Sequence, residues 1–288
     1  MDSFSQTSFG LESNAVLYRF AAKHLQRLDL SRFHMATFDP HSSSAYQVLL
    51  QHPVAALPQP HKAFSAPRSR AGKRPIVVAV LGHQQPPKGY HWMPEVAQML
   101  LQAHDDISLL LHNSEPDKMI ETQKALRNLA ARNPRLILDE RVAGPAHWSE
   151  LLDASDLILC PYGVSYALGR SAVVGDALAN GIPAVVPANT APARLVNEFS
   201  DSGTAFERWE PGSIMEATTK ALNHFDEIAR RAHAAAHKWP EIHGPARLVD
   251  AMLALAGRCP DGSPRPAGAP APAGAHAPPR FRIASSLS

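Results

Sequence analysis

The chain has 288 residues, 45% of them hydrophobic and 19% charged, with a formal net charge of +2. That composition supports a real globular core and excludes a low-complexity or disulfide-scaffold protein. A charge this close to zero offers no general polyanion-binding surface, so nucleic acid is not an expected partner.

The N-terminus, MDSFSQTSFGLES, lacks a basic n-region and an apolar stretch and does not read as a signal peptide. No apolar run approaches the roughly 20 residues that span a bilayer. The two cysteines, Cys160 and Cys259, suggest no disulfide framework. The expected location is therefore a reducing one, the cytoplasm, with peripheral membrane contact left open. Fifteen histidines show no zinc-type spacing. His233 and His237 would share a helix face, but no H-E-x-x-H glutamate and no third ligand accompany them, so no metal is expected.

Along the chain, Asn14 caps a predicted helix reaching about Leu28, with Val16, Leu17, Phe20 and Leu25 on one side. A short strand is expected over Phe33–Phe38, a helix over Ser42–Leu50 and a strand over Val54–Leu57. Residues 1–57 are too few for a good core of their own. Pro58 to Arg74, PQPHKAFSAPRSRAGKR, reads as an extended linker.

Residues 75–257 read as one domain, in which 75 to about 207 alternate regularly. Strands are expected at Pro75–Leu81, Ile107–His112, Arg135–Asp139, Asp156–Cys160, Ala184–Val186 and Thr204–Phe206. Helices are expected at Tyr90–Ala103, Asp117–Arg132, His147–Ala154, Gly169–Asn180 and Ala191–Phe199. Further helices follow over about Ser213–Lys238 and Ala246–Gly257, with a break near Trp239-Pro240. Strands alternating with helices imply βαβ units, right-handed crossovers and a doubly wound parallel sheet of the α/β class. The strands are short continuous apolar runs, as sheets covered on both faces require. Residues 258–288 form a Pro/Ala/Gly-rich tail that reads as disordered.

Ligands of open α/β sheets sit outside the carboxyl ends of the strands. After the first strand of the repeat, Gly82 permits close backbone approach, while His83 and Lys88 supply a donor and a cation. Lys88 reads equally as a solvated turn lysine. After the second strand, Asn113 and Ser114 either line the same cleft or cap the next helix. After the third strand, Arg141 follows Asp139-Glu140. After the fourth strand, the loop carries Gly163, Ser165, Tyr166, Arg170 and Ser171 ahead of a helix, where backbone amides hold an anion. Asp176, further into that helix, either accepts from a sugar hydroxyl or is simply exposed. No Gly-x-Gly-x-x-Gly follows the first strand and no Walker lysine motif occurs, which argues against a dinucleotide oxidoreductase or a P-loop enzyme.

These constellations, taken in order, resemble the C-terminal, nucleotide-sugar-binding domain of GT-B glycosyltransferases of the retaining family 4 type, over about Leu57 to Leu255. Gly82-His83-x4-Lys88-Gly89 is similar to that family's Gly-Arg-x4-Lys-Gly element. Trp148-Ser149-Glu150-Leu151-Leu152 and Ser155-Asp156-Leu157 resemble its helix and strand ahead of the donor loop. Asp176-Ala177-Leu178-Ala179-Asn180-Gly181-Ile182-Pro183 resembles its Glu-Ala-x-x-x-Gly-x-Pro segment.

The resemblance implies a Rossmann-like donor domain binding a nucleoside-diphosphate sugar without a metal or other cofactor. Gly82, His83, Lys88, Gly163, Ser165, Tyr166, Arg170 and Ser171 would lie on the diphosphate, and Asp176 on the ribose or sugar. Asn113, Ser114 and Arg141 would line the cleft. No catalytic residue is assigned, and the acceptor is unknown.

Two departures stand out. The family's arginine is His83, and the first of its two glutamates, eight positions apart, falls on Leu168. Residues 1–57 are read as the remnant of an acceptor-side domain, so a partner chain or a second copy is an expected requirement and the chain need not be active alone. The alternative is a non-catalytic scaffold of the same fold that docks on another chain.

Overall fold

A computed structural model describes residues 20, 23–24, 34–61, 63 and 66–257. The predicted helix over Asn14–Leu28 lies almost entirely outside the described residues, as does the tail from residue 258. The first ordered unit is β1 (Met35–Thr37), α1 (Pro40–Leu50) and β2 (Val54–Ala56), with β1 and β2 paired in parallel. Asp39 starts α1 by accepting from the Ser42 amide at 2.8 Å, and Pro40 sits where its missing N–H costs nothing.

The main sheet has six strands: β3 (Ile76–Val80), β4 (Ile107–His112), β5 (Leu136–Asp139), β6 (Leu157–Leu159), β7 (Ala184–Pro187) and β8 (Gly203–Phe206). Their order is β5-β4-β3-β6-β7-β8, and every pair is parallel. The chain therefore builds outward from β3 in one direction, then returns to its other side with β6. Between them run α2 (Met93–Ala103), α3 (Ile120–Ala130), α4 (Pro145–Ala154), α5 (Ala172–Ala179) and α6 (Ala191–Glu198). After β8 come α7 (Pro211–Asn223), α8 (Phe225–Ala236), α9 (Trp239–His243) and α10 (Pro245–Leu255).

Strand alternation explains the two covering layers. Ile76, Val78 and Val80 of β3 point into one cluster with Val96, Leu100, Leu126, Ile214 and Phe225. Ala79 and the following Leu81 point into the other, with Leu151, Val174, Leu178, Leu195 and Trp239. Both faces are helix-covered, which is why the strands read as apolar runs. The predicted long helix over Ser213–Lys238 is two helices, turned at His224 so that Phe225 and Ile228 reach the core. No helix among the described residues is long and apolar enough to cross a membrane.

The described residues of 58–74 run without regular structure, as the prolines of this stretch suggest, and lie as a strap on the domain. Arg70 is only 3% exposed and donates to the carbonyls of Ser155 (2.8 Å) and Asn180 (3.1 Å). Lys73 reaches Asp156 at 2.8 Å, and Trp239 Nε1 donates to the His61 carbonyl at 3.0 Å.

Candidate functional site

β3 and β6 are neighbours from which the chain leaves in opposite directions. Loops diverge at such a switch point and leave a crevice above the carboxyl ends. The two loops that flank it are those carrying Gly82–Gly89 and Cys160–Ser171.

The first loop turns on Gly82, at φ 103°, and ends in a short 3-10 turn, Pro86–Lys88, closed by Gly89 at φ 70°. Glycine is required at position 89 twice over. Its φ is left-handed, and a Cβ there would lie 1.8 Å from the Pro161 carbonyl oxygen. This contact brings the β3 and β6 loops together. The Gly163 amide completes it by donating to Pro87 O at 2.9 Å, and Trp209 Nε1 donates to Pro161 O at 2.9 Å.

Lys88 is thereby carried over the crevice. Its Nζ lies 5.9 Å from the Tyr162 ring centroid and 3.8 Å from where a Gly82 Cβ would stand. Burial pulls its pKa below the ordinary lysine value, with the neighbouring Cys160 opposing. Among the described residues no carboxylate pairs with it. Beside it, α5 begins. Ser171 caps that helix by accepting from the Val174 amide at 3.3 Å, and Tyr162 Oη lies 3.1 Å from Ser171 Oγ. Tyr166 stacks on Tyr162, with centroids 4.2 Å apart.

The floor of the crevice is a buried polar network. The Gly82 amide donates to His112 Nδ1 at 3.2 Å. His112 is thus an acceptor at Nδ1, and its Nε2–H donates to the Arg141 carbonyl at 2.9 Å. Burial, the main cause, holds its pKa below the usual histidine value. Gln84 donates to the carbonyls of both Gly82 and His112.

The expected site residues separate by partner. Gly82, Lys88, Gly163 and Ser171 converge on the crevice, although the Gly163 amide and the Ser171 hydroxyl already serve the loop and the helix cap. Ser165 is exposed on the same loop. His83 sits on the rim, its ring in contact with Glu115 and Gln85. Arg170 turns away, donating to Gln59 Oε1 at 3.1 Å. Asn113 is buried and braces Gln123 and the Glu115 amide, while Ser114 is half-buried beside it. The Arg141 guanidinium closes on Asp139 at 2.5 Å. Asp176 accepts from His61 and Trp148.

Trp209 and His61 were not among the expected site residues, and Tyr162 and His112, although they lie at the starts of the expected loops, had been given no role of their own. One signal for His61 was available. Gly175 lies inside a helix, where glycine costs about 1 kcal/mol relative to alanine, and a Cβ there would lie 2.3 Å from the His61 ring.

Among the described residues, His112, Asp139 and His147 place ligand atoms within 4.8 Å of one another. His112 spends both nitrogens on hydrogen bonds, and Arg141 supplies Asp139 with a cation. His147 Nε2 lies 3.1 Å from Asp139 Oδ2 but is buried without a hydrogen-bond partner.

No family model matches the sequence, and no curated protein matches it. Solved structures do match it. WaaG, described as a glycosyltransferase involved in lipopolysaccharide biosynthesis, aligns at 18% identity and TM-score 0.58 over 84% of this chain and 70% of its own. HepE of Anabaena, solved with UDP and glucose, aligns at 15% identity and TM-score 0.59 over 80% of this chain and 63% of its own. A sucrose-phosphate synthase from Thermosynechococcus elongatus aligns at 13% identity and TM-score 0.55 over 77% and 55%. The fold is that of the C-terminal domain of GT-B glycosyltransferases. The chain spans 55% to 70% of the lengths of these three proteins.

Proposed function

We propose that the crevice between the β3 and β6 loops binds the diphosphate of a nucleoside-diphosphate sugar, and that the chain is the donor side of a glycosyl transfer to an acceptor held elsewhere. The observation that carries this reading is Lys88. It is a half-buried ammonium at the carboxyl ends of the sheet, next to the start of α5, with no carboxylate to neutralise it among the described residues. A diphosphate supplies the missing counter-charge. Charge grows on the diphosphate as the glycosyl bond breaks, so a fixed cation there favours the transition state over the ground state. The UDP of the HepE structure supports a uridine nucleotide as the first ligand to try. The amides heading α5, and His83 once it leaves Glu115, are the next groups this reading assigns to that ligand. The acceptor-binding surface, a partner chain or second copy that completes it, and a cytoplasmic setting belong to the same proposal.

Calorimetric titration with UDP and UDP-sugars tests it. A single charge-assisted contact is worth about 1.5–3 kcal/mol, so Lys88→Ala should weaken UDP roughly ten- to a hundredfold. Because deprotonation removes the contact, affinity should also fall as pH rises through the lowered Lys88 pKa. Equal affinity in wild type and Lys88→Ala would sink the assignment.

A second reading, a binding scaffold without turnover, is favoured by position 168. Leu168 has no carboxylate to offer a sugar, and its carbonyl is tied to Ser42 Oγ at 2.9 Å. UDP binding with no hydrolysis of any UDP-sugar would support it.

A further inference from the structure

The strap places His61 directly on α5. The His61 ring packs over Gly175, and its Nδ1 lies 2.7 Å from Asp176 Oδ1. Trp148 Nε1 takes the other oxygen, Oδ2, at 2.9 Å. The donor direction follows from the neighbours. Arg170 Nη1 donates to Gln59 Oε1, which fixes the amide so that Gln59 Nε2 faces His61 Nε2 at 2.6 Å. His61 therefore accepts at Nε2 and donates from Nδ1 to Asp176. The two side chains are 10% and 16% exposed.

Asp176 lies one helical turn beyond Val173, whose Cγ2 stands 3.4 Å from the Gly82 Cβ position, and its partner Trp148 has its ring centroid 6.4 Å from that of His112 on the crevice floor. A carboxylate has about four lone-pair positions; these two bonds take one on each oxygen, and burial of the side chain closes most of the approach of a ribose diol to the rest.

We infer that His61 is a gate on Asp176. The strap caps the carboxylate in this state, and a ribose engages it only after the His61 side chain swings off Gly175. This rests on the nucleotide-binding reading above and adds to it a closed state in which one nucleoside contact is withheld. A ligand that needs the open state pays for its population, so removing the cap should raise apparent affinity. The gain should appear only for ligands that carry ribose hydroxyls.

Two variants open the gate by different routes. His61→Ala deletes the cap. Gly175→Ala leaves every bonding group in place, suits a helix interior, and drives the ring off Asp176 by the 2.3 Å clash. The experiment is calorimetric titration of wild type, both variants and Lys88→Ala with UDP and with 2′,3′-dideoxy-UDP, alongside circular dichroism. Losing one capping hydrogen bond should tighten UDP roughly five- to tenfold in both gate variants, with dideoxy-UDP unchanged. Unchanged or weaker UDP binding in a folded Gly175→Ala overturns the gate, as does equal tightening of both nucleotides. If Lys88→Ala still weakens UDP in that case, the binding reading stands while the gate falls. If no variant binds either nucleotide, both fall.

Discussion

Asp139 shows how local bonding sets the chemistry of one residue. It ends β5, is 9% exposed, and accepts from the Arg141 amide at 3.0 Å and the Arg141 guanidinium at 2.5 Å. The guanidinium bond is the main cause that holds its pKa down, from 3.8 to about 2. A folded-state pKa below the unfolded value contributes stability that is present above the unfolded pKa and lost as pH falls through the folded one. The melting temperature of the wild type should therefore drop between about pH 4 and pH 2. Asp139→Asn should start lower at neutral pH and lose less across that window. Parallel melting curves for the two proteins over the window would show that Asp139 is not the group responsible. The same dependence on partners explains what was legible at the site. Gly82 and Lys88 could be read from residue type and spacing. His83 and Arg170 look identical to Lys88 by that criterion, but Glu115 and Gln59 claim them, and no spacing rule reveals a partner more than 30 residues away.

At the scale of elements, strands and helices of the main sheet were legible because each satisfies its own physics. β3 needs a continuous apolar run since both faces are covered, and α6 announces itself with Thr190 as cap and Pro192 in its first turn. The strap was the opposite case. Proline and basic residues over 58–74 describe an extended, solvated spacer, and composition carries no information about where one arginine lands. Arg70 lands inside the domain. Burial, the largest effect, draws its pKa down to about 10, and it bonds carbonyls that close α4 and α5. Replacing it by methionine would keep volume but take the guanidinium donor from those carbonyls and remove one of the two cations beside Asp156, leaving Lys73. An unpaired buried group of this kind costs about 3 kcal/mol or more, equivalent to roughly 6–12 °C in melting temperature for a domain of this size. A thermal melt of Arg70→Met tests this. A shift under about 2 °C would mean the strap is not held by Arg70.

At the scale of the molecule, the question is what joins the β1-α1-β2 unit to the main domain. Their sheets are separate, so the join must lie in side chains. Asp39 is its centre. The buried carboxylate caps α1 through Ser42 and accepts from Arg194 of α6 at 2.8 Å. Burial works to raise its pKa, but the bonds from Arg194 and Ser42 outweigh that and hold it below the ordinary aspartate value. Both partners also reach the loop that follows β6. Arg194 Nη2 donates to Ala167 O at 2.9 Å and Ser42 Oγ to Leu168 O at 2.9 Å. The small unit therefore clamps the far end of the loop whose near end borders Lys88. Breaking a buried charged pair costs about 3–5 kcal/mol, and losing the cap about 1 more. Asp39→Ala should consequently lower the melting temperature and release the loop with it. Amide exchange over residues 163–171 should accelerate while exchange in β3 and β4 stays protected, because the sheet does not use Asp39. If the loop kept wild-type exchange while the protein melted lower, Asp39 would serve stability alone, and the crevice would be independent of the unit that precedes it.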